Sequence, residues 1–235
     1  MDHEFDRRGI CLKCGGSSIE FRDSDLPCIG LLQEAELIQI LQDESTRLRR
    51  REHAARALGR VGGKAAVPAL CAILDSKDTH RKEMWDLAQE SAISLGRIGG
   101  AKACGSLMQA VQHPGAFHNA ILALAHLRAT EAVDLLVAVL SDPREEFQHR
   151  LDSALALGDI GDHRALEPLL VARHDALIQL KSDTRRALAK MFYCADLTDE
   201  QKNRLLGLSD LKASIDQYPR DLEWFPDGRL CSWEE

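Results

Sequence analysis

Seven cysteines and nine histidines are the side chains with most chemistry to offer in this 235-residue chain. Their densest cluster lies at the start. His3-x7-Cys11-x2-Cys14-Gly15-Gly16 is followed by Leu26-Pro27-Cys28. A Cys-x-x-Cys pair before two glycines lets two thiolates and nearby amides curl about one ion, and Cys28 and His3 complete a tetrahedral Cys3His set for zinc. A 30-residue acidic segment with few periodic apolar residues needs such a staple to fold alone. There is no second Cys-x-x-Cys, which leaves the fourth ligand open, with Cys231 as a substitute candidate if the superhelix brings the ends together; the alternative is a disordered leader with free thiols. A redox pair would need a strand-helix context, which is lacking.

The second concentration of reactive charge is Arg47, Arg49, Arg50, Arg51, Arg56, Arg60 and Lys64, with Glu52 as the one acid between residues 47 and 64. On a helix these cations point several ways. The patch reads either as a solvated face with ion pairs to neighbouring elements or as a docking surface for an acidic partner, protein or nucleic acid. Arg49, Arg50, Arg51, Arg56 and Arg60 are the partner-binding candidates here. Hydrolytic and phosphate-binding motifs are missing: there is no Gly-x-Ser-x-Gly, no Gly-x-x-x-x-Gly-Lys-Ser/Thr and no His-Glu-x-x-His. No residue is assigned a catalytic role.

The elements that must position these groups repeat. Ala57-Leu58-Gly59-Arg60-Val61-Gly62, Ser94-Leu95-Gly96-Arg97-Ile98-Gly99 and Ala156-Leu157-Gly158-Asp159-Ile160-Gly161 are near copies, with degenerate versions around Leu124 and Leu188. At offsets 5, 8 and 12 from the motif end stand Val67, Leu70, Leu74; Cys104, Leu107, Val111; Val133, Leu136, Leu140; and Leu166, Leu169, Arg173. That spacing traces one helical face, broken only by Arg173. Each repeat therefore reads as two helices, the first ending at the motif. The closing glycine suits a left-handed helix stop, and the inner glycine of Leu-Gly lets a neighbour approach closely. Helix pairs of this size cannot bury their apolar faces alone and must stack, which predicts an all-α fold, an α-solenoid superhelix.

Arg56 through Leu70 resembles a HEAT repeat of the short subtype similar to bilin (phycobilisome) lyases, and the resemblance covers about residues 31–210. It implies five HEAT-like helix pairs and, for most such arrays, a protein-binding scaffold. Bilin lyases and deoxyhypusine hydroxylases are the enzymatic branches of that resemblance. The hydroxylases hold two irons through four His-Glu pairs, whereas His3-Glu4 here lies outside the repeats and Glu52-His53 is reversed. The bilin-lyase branch implies a concave surface for a chromophore or its acceptor protein.

The expected organisation is a Cys/His leader at 1–30, the array at 31–210 and an aromatic cap or tail at 211–235. Residues 211–235 hold Tyr218, Trp224, Phe225 and Trp233, which either cover the last repeat or, through Trp224 and Phe225, anchor a partner. Residues 1–46 carry four basic and ten acidic side chains, and residues 196–235 five and ten. Acidic ends around a mildly basic body argue against nucleic-acid binding. The acidic N-terminus and the absence of a long apolar run point to a cytoplasmic protein without a membrane span. The expected function is a non-enzymatic scaffold or adaptor for another protein, with a bilin-lyase-like chromophore-transfer subunit as the enzymatic alternative.

Overall fold

A computed structural model of the chain describes residues 4, 6–8, 11, 32–61, 63–175 and 177–222. Among these residues the structure is helical, with no extended strands. The helices are α1 (Glu34–Gln42), α2 (Leu48–Val61), α3 (Val67–Leu74), α4 (Trp85–Ile98), α5 (Ala101–Ala110) and α6 (Phe117–His126). They continue as α7 (Val133–Ser141), α8 (Phe147–Ile160), α9 (Leu166–Ala172), α10 (Ile178–Cys194), α11 (Asp199–Leu206) and α12 (Ser209–Leu222). This is the all-α repeat architecture of the α-solenoid class. The chain forms two compact units, Met1–Ala123 and Leu124–Glu235.

Helix boundaries follow the motif. α2, α4 and α8 end at Val61, Ile98 and Ile160, the penultimate motif position in each copy. Gly161 stops α8 in the left-handed region, at φ 72° and ψ 25°. The degenerate copy has Arg128 at the same place, and it too takes positive φ, 49°, where a side chain meets steric resistance. The stop geometry therefore belongs to the repeat and persists without its glycine.

In the first unit α2 packs on α1 and α4, and α3 packs on α4 and α5. In the second, α8 packs on α7 and α10, and α10 on α9 and α12. The apolar triplets of the second helices are buried: Val67, Leu70 and Leu74, then Val133, Leu136 and Leu140, then Leu166 and Leu169. Arg173 breaks the pattern with a purpose, since its guanidinium donates to both Asp210 oxygens at 2.8 and 2.9 Å and ties α9 to α12.

The inner glycines set the distance between successive first helices. A Cβ at Gly59 would lie 2.8 Å from the Ser94 Cα, and one at Gly158 would lie 2.7 Å from the Ala187 Cα. In both cases the neighbour is the residue just before the next anchor leucine, so one register recurs in both units. Ser94 uses the approach to donate its hydroxyl to the Ala55 carbonyl at 2.7 Å. α12 runs across residue 210, with Leu211, Ile215 and Tyr218 buried, and Tyr218 stacks on Tyr193 at 5.7 Å.

Candidate functional site

The five arginine candidates on α2 do not share one face or one task. Arg51 is buried, and its Nε donates to the Leu41 carbonyl at 2.9 Å. That carbonyl is in the last turn of α1, where helix carbonyls lack partners and a cation is favoured. Arg150 repeats the arrangement in the second unit, donating to the Leu140 carbonyl at 2.9 Å. Both arginines stand seven residues before an anchor leucine. This position is a structural strut, and Arg51 is turned inward by it. Arg50 is half-buried, while Arg49 and Arg60 are exposed.

Arg49 and Arg56 meet residues of α4. With Glu52, His53, Asp86, Gln89 and Glu90 they line a polar hollow of about 220 Å3 between α2 and α4. Arg56 donates to Glu90 at 2.6 Å across the helices. Glu52 is half-buried, and burial together with the carboxylates of Asp86 and Glu90 pushes its carboxyl above the ordinary range, against the opposing pull of Arg49 and Arg56. Among the described lining residues, with His53 neutral, two arginines stand against three carboxylates.

One turn further along the same face, Arg60 and Arg97 stand at the C-terminal ends of α2 and α4. Partial burial and the neighbouring Arg60, with Arg56 behind it, push Arg97 below the usual guanidinium range, while Glu90 works the other way. The face thus has a net acidic hollow at one end and a crowded basic pair at the other. Arg97, Asp86 and Glu90 escaped the sequence reading. The available signal was that Arg60 and Arg97 occupy the same motif position in successive repeats.

The other predicted groups are placed as follows. Cys11 is buried, whereas His3, Cys14 and Cys28 lie outside the described residues, as do Trp224 and Phe225. Among the described residues no three His, Cys, Asp or Glu side chains converge as a metal site, and no helix is long and apolar enough to cross a membrane.

Paired helices of about thirty residues, inner glycines at the Gly59 and Gly158 crossings and a recurring arginine strut define a helical repeat protein. HEAT repeats match residues 34–117 and 116–189, and the chain belongs to that family. No curated protein matches the chain.

Proposed function

We propose that the chain is a non-enzymatic protein-binding adaptor whose partner docks on the exposed face of α2 and α4. The supporting observation is like charge only partly offset on that face: Glu52 stands near Asp86 and Glu90 at one end, against Arg49 and Arg56, and Arg97 stands near Arg60 at the other, against Glu90. Folding gains nothing from either opposition, whereas a partner of complementary charge relieves both. Nucleic acid fits this surface poorly. Arg51 is spent on Leu41, Arg56 on Glu90, and three carboxylates stand among the remaining cations where phosphates would pass. The charged lining also suits peptide side chains better than the apolar rings of a bilin. A chromophore-transfer subunit would instead shift the bilin's visible absorption band, saturably, on mixing.

The test is chemical cross-linking in source lysate followed by capture, comparing the full chain with an Arg60→Glu, Arg97→Glu variant. The expected result is a partner cross-linked to α2 or α4 in the parent and lost from the variant. Equal recovery of the same partner would contradict the reading.

For the leader, we propose that His3, Cys11, Cys14 and Cys28 hold one structural zinc ion. Support comes from the Cys-x-x-Cys-Gly-Gly spacing and from the complete burial of Cys11. Native mass spectrometry should find one zinc per chain, lost on chelation and in Cys11→Ser; a metal-free protein purified with zinc present would contradict it.

A further inference from the structure

The hollow between α2 and α4 has a size, a charge deficit and a ligand geometry that together restrict its occupant. Its volume of about 220 Å3 is below the roughly 300–1,000 Å3 of small-molecule sites and suits a single side chain. Among its charged groups, Arg56 and Glu90 satisfy each other at 2.6 Å. Among the described lining residues Glu52 and Asp86 then share the hollow with Arg49 and the imidazole of His53, so with His53 neutral one negative charge is left over. These carboxylates stand on different helices, Glu52 half-buried in the wall and Asp86 exposed at the rim. A cation fitting between them is clasped from both sides.

A metal ion does not meet this geometry. Its ligands must close to within about 2–2.6 Å of one point, and no three acidic, histidine or cysteine groups among the described residues do so. A planar guanidinium spreads its charge over five N–H donors and bridges separated carboxylates, which a compact ammonium does less well. Gln89 adds a neutral amide to the lining, and the buried His53 adds its ring.

We propose that this hollow is a receptor for an arginine side chain of a bound protein segment, with Glu52 and Asp86 clasping the guanidinium. The proposal rests on the docking face described above and names the group that enters it. The Arg60 and Arg97 pair gives the segment a direction. Seven to eight residues of helix separate Glu52 or His53 from Arg60, so an acidic residue of the partner lies about 10–12 Å beyond the inserted arginine, toward the C-terminal ends of α2 and α4.

The test is a titration of the full chain with N-acetyl-arginine amide, followed by two-dimensional NH correlation spectra, with N-acetyl-glutamate amide as control. The expected result is saturable shifts confined to amides of residues 49–56 and 86–90 with the arginine probe alone. Affinity should fall about fivefold or more in Glu52→Gln and in Asp86→Asn, because each removes one charge-assisted contact. The two variants retain the side-chain shape, and their unchanged spectra elsewhere report intact folding. Shifts that do not saturate, that appear equally with the glutamate probe, or that persist undiminished in both variants would overturn the proposal. A partner lost with Arg60→Glu, Arg97→Glu, alongside a silent arginine titration, would keep the docking face and remove the receptor.

Discussion

The α2–α4 pair of the first unit and the α8–α10 pair of the second are built on one plan and treat their charges in opposite ways. Both use an inner glycine against the next helix, and both use a buried arginine on the preceding helix's last turn. On α8 and α10, however, several charged side chains are paired from within, although the buried Nε of Arg185 is left without a hydrogen bond among the described residues. Gln148 donates to Asp152 at 2.8 Å and Gln179 to Asp183 at 3.0 Å, each one turn along its own helix. Lys190 bonds Asp159 across the pair, and Arg186 lies 3.3 Å from Asp183. On α2 and α4 Arg56 pairs with Glu90, and Ser91 and Ser94 donate to the Leu87 and Ala55 carbonyls, but among the described residues Glu52 faces Asp86 and Arg97 faces Arg60. The same scaffold thus carries one ridge whose acidic and basic side chains mostly pair with each other and one where like charges face each other across the helices. Opposition of that kind is where stability is exchanged for binding.

The largest expected effect tests the shared plan. Arg150→Met removes the bond to Leu140 and the 2.6 Å ion pair with Asp175, which keeps the Leu177 N–H, and should cost about 2–4 kcal/mol. Arg51→Met loses the carbonyl bond, which should cost about 1–2 kcal/mol. Denaturant melts of the two variants separate these values. Equal, negligible losses would remove the strut from the account.

The glycine crossings come next. Helix propensity alone says that Gly→Ala inside a helix stabilises by about 1 kcal/mol. At Gly59 and Gly158 the added methyl meets backbone at 2.8 and 2.7 Å, so both substitutions should instead destabilise, by about 1–3 kcal/mol. Melting temperatures of both variants check the sign. A smaller effect belongs to the second unit alone: Arg128→Gly relieves a side chain held at φ 49° and should raise stability by up to about 1 kcal/mol.

What the sequence made legible was whatever the repeat enforces everywhere. Leu-Gly spacing marked the helix ends and the close crossings, and the triplets at offsets 5, 8 and 12 marked the buried faces, because each copy must stack on the next by the same contact. Arg173 showed as an exception without showing why, since its partner Asp210 lies 37 residues away on a helix outside the motif. The site was legible only in part. Arg49, Arg56 and Arg60 stood out as a run, but a run in one helix does not reveal that α4 sets Asp86, Glu90 and Arg97 against it. That depends on how far one helix is displaced along its neighbour, which the Gly59 to Ser94 contact and the Ser94 to Ala55 bond help to fix. Arg51 was grouped with the others because its burial comes from the end of α1, ten residues earlier.

The most direct test of the contrast is to neutralise one carboxylate on each ridge and measure thermal stability against pH. Glu52 has a raised folded-state pKa, so its ionisation opposes folding. The penalty is absent below the ordinary glutamate range and complete once pH has risen through the folded value. Glu52→Gln should therefore raise stability at neutral pH, by about half a kcal/mol or less for a half-exposed group, and with it the melting point, the gain fading as pH falls through the folded value. Asp183→Asn should lower it, since Gln179 and Arg186 lose a charged acceptor. Opposite signs are the predicted result; a Glu52→Gln protein that is destabilised at neutral pH as much as Asp183→Asn would contradict the claim that the α2–α4 face is left for a partner.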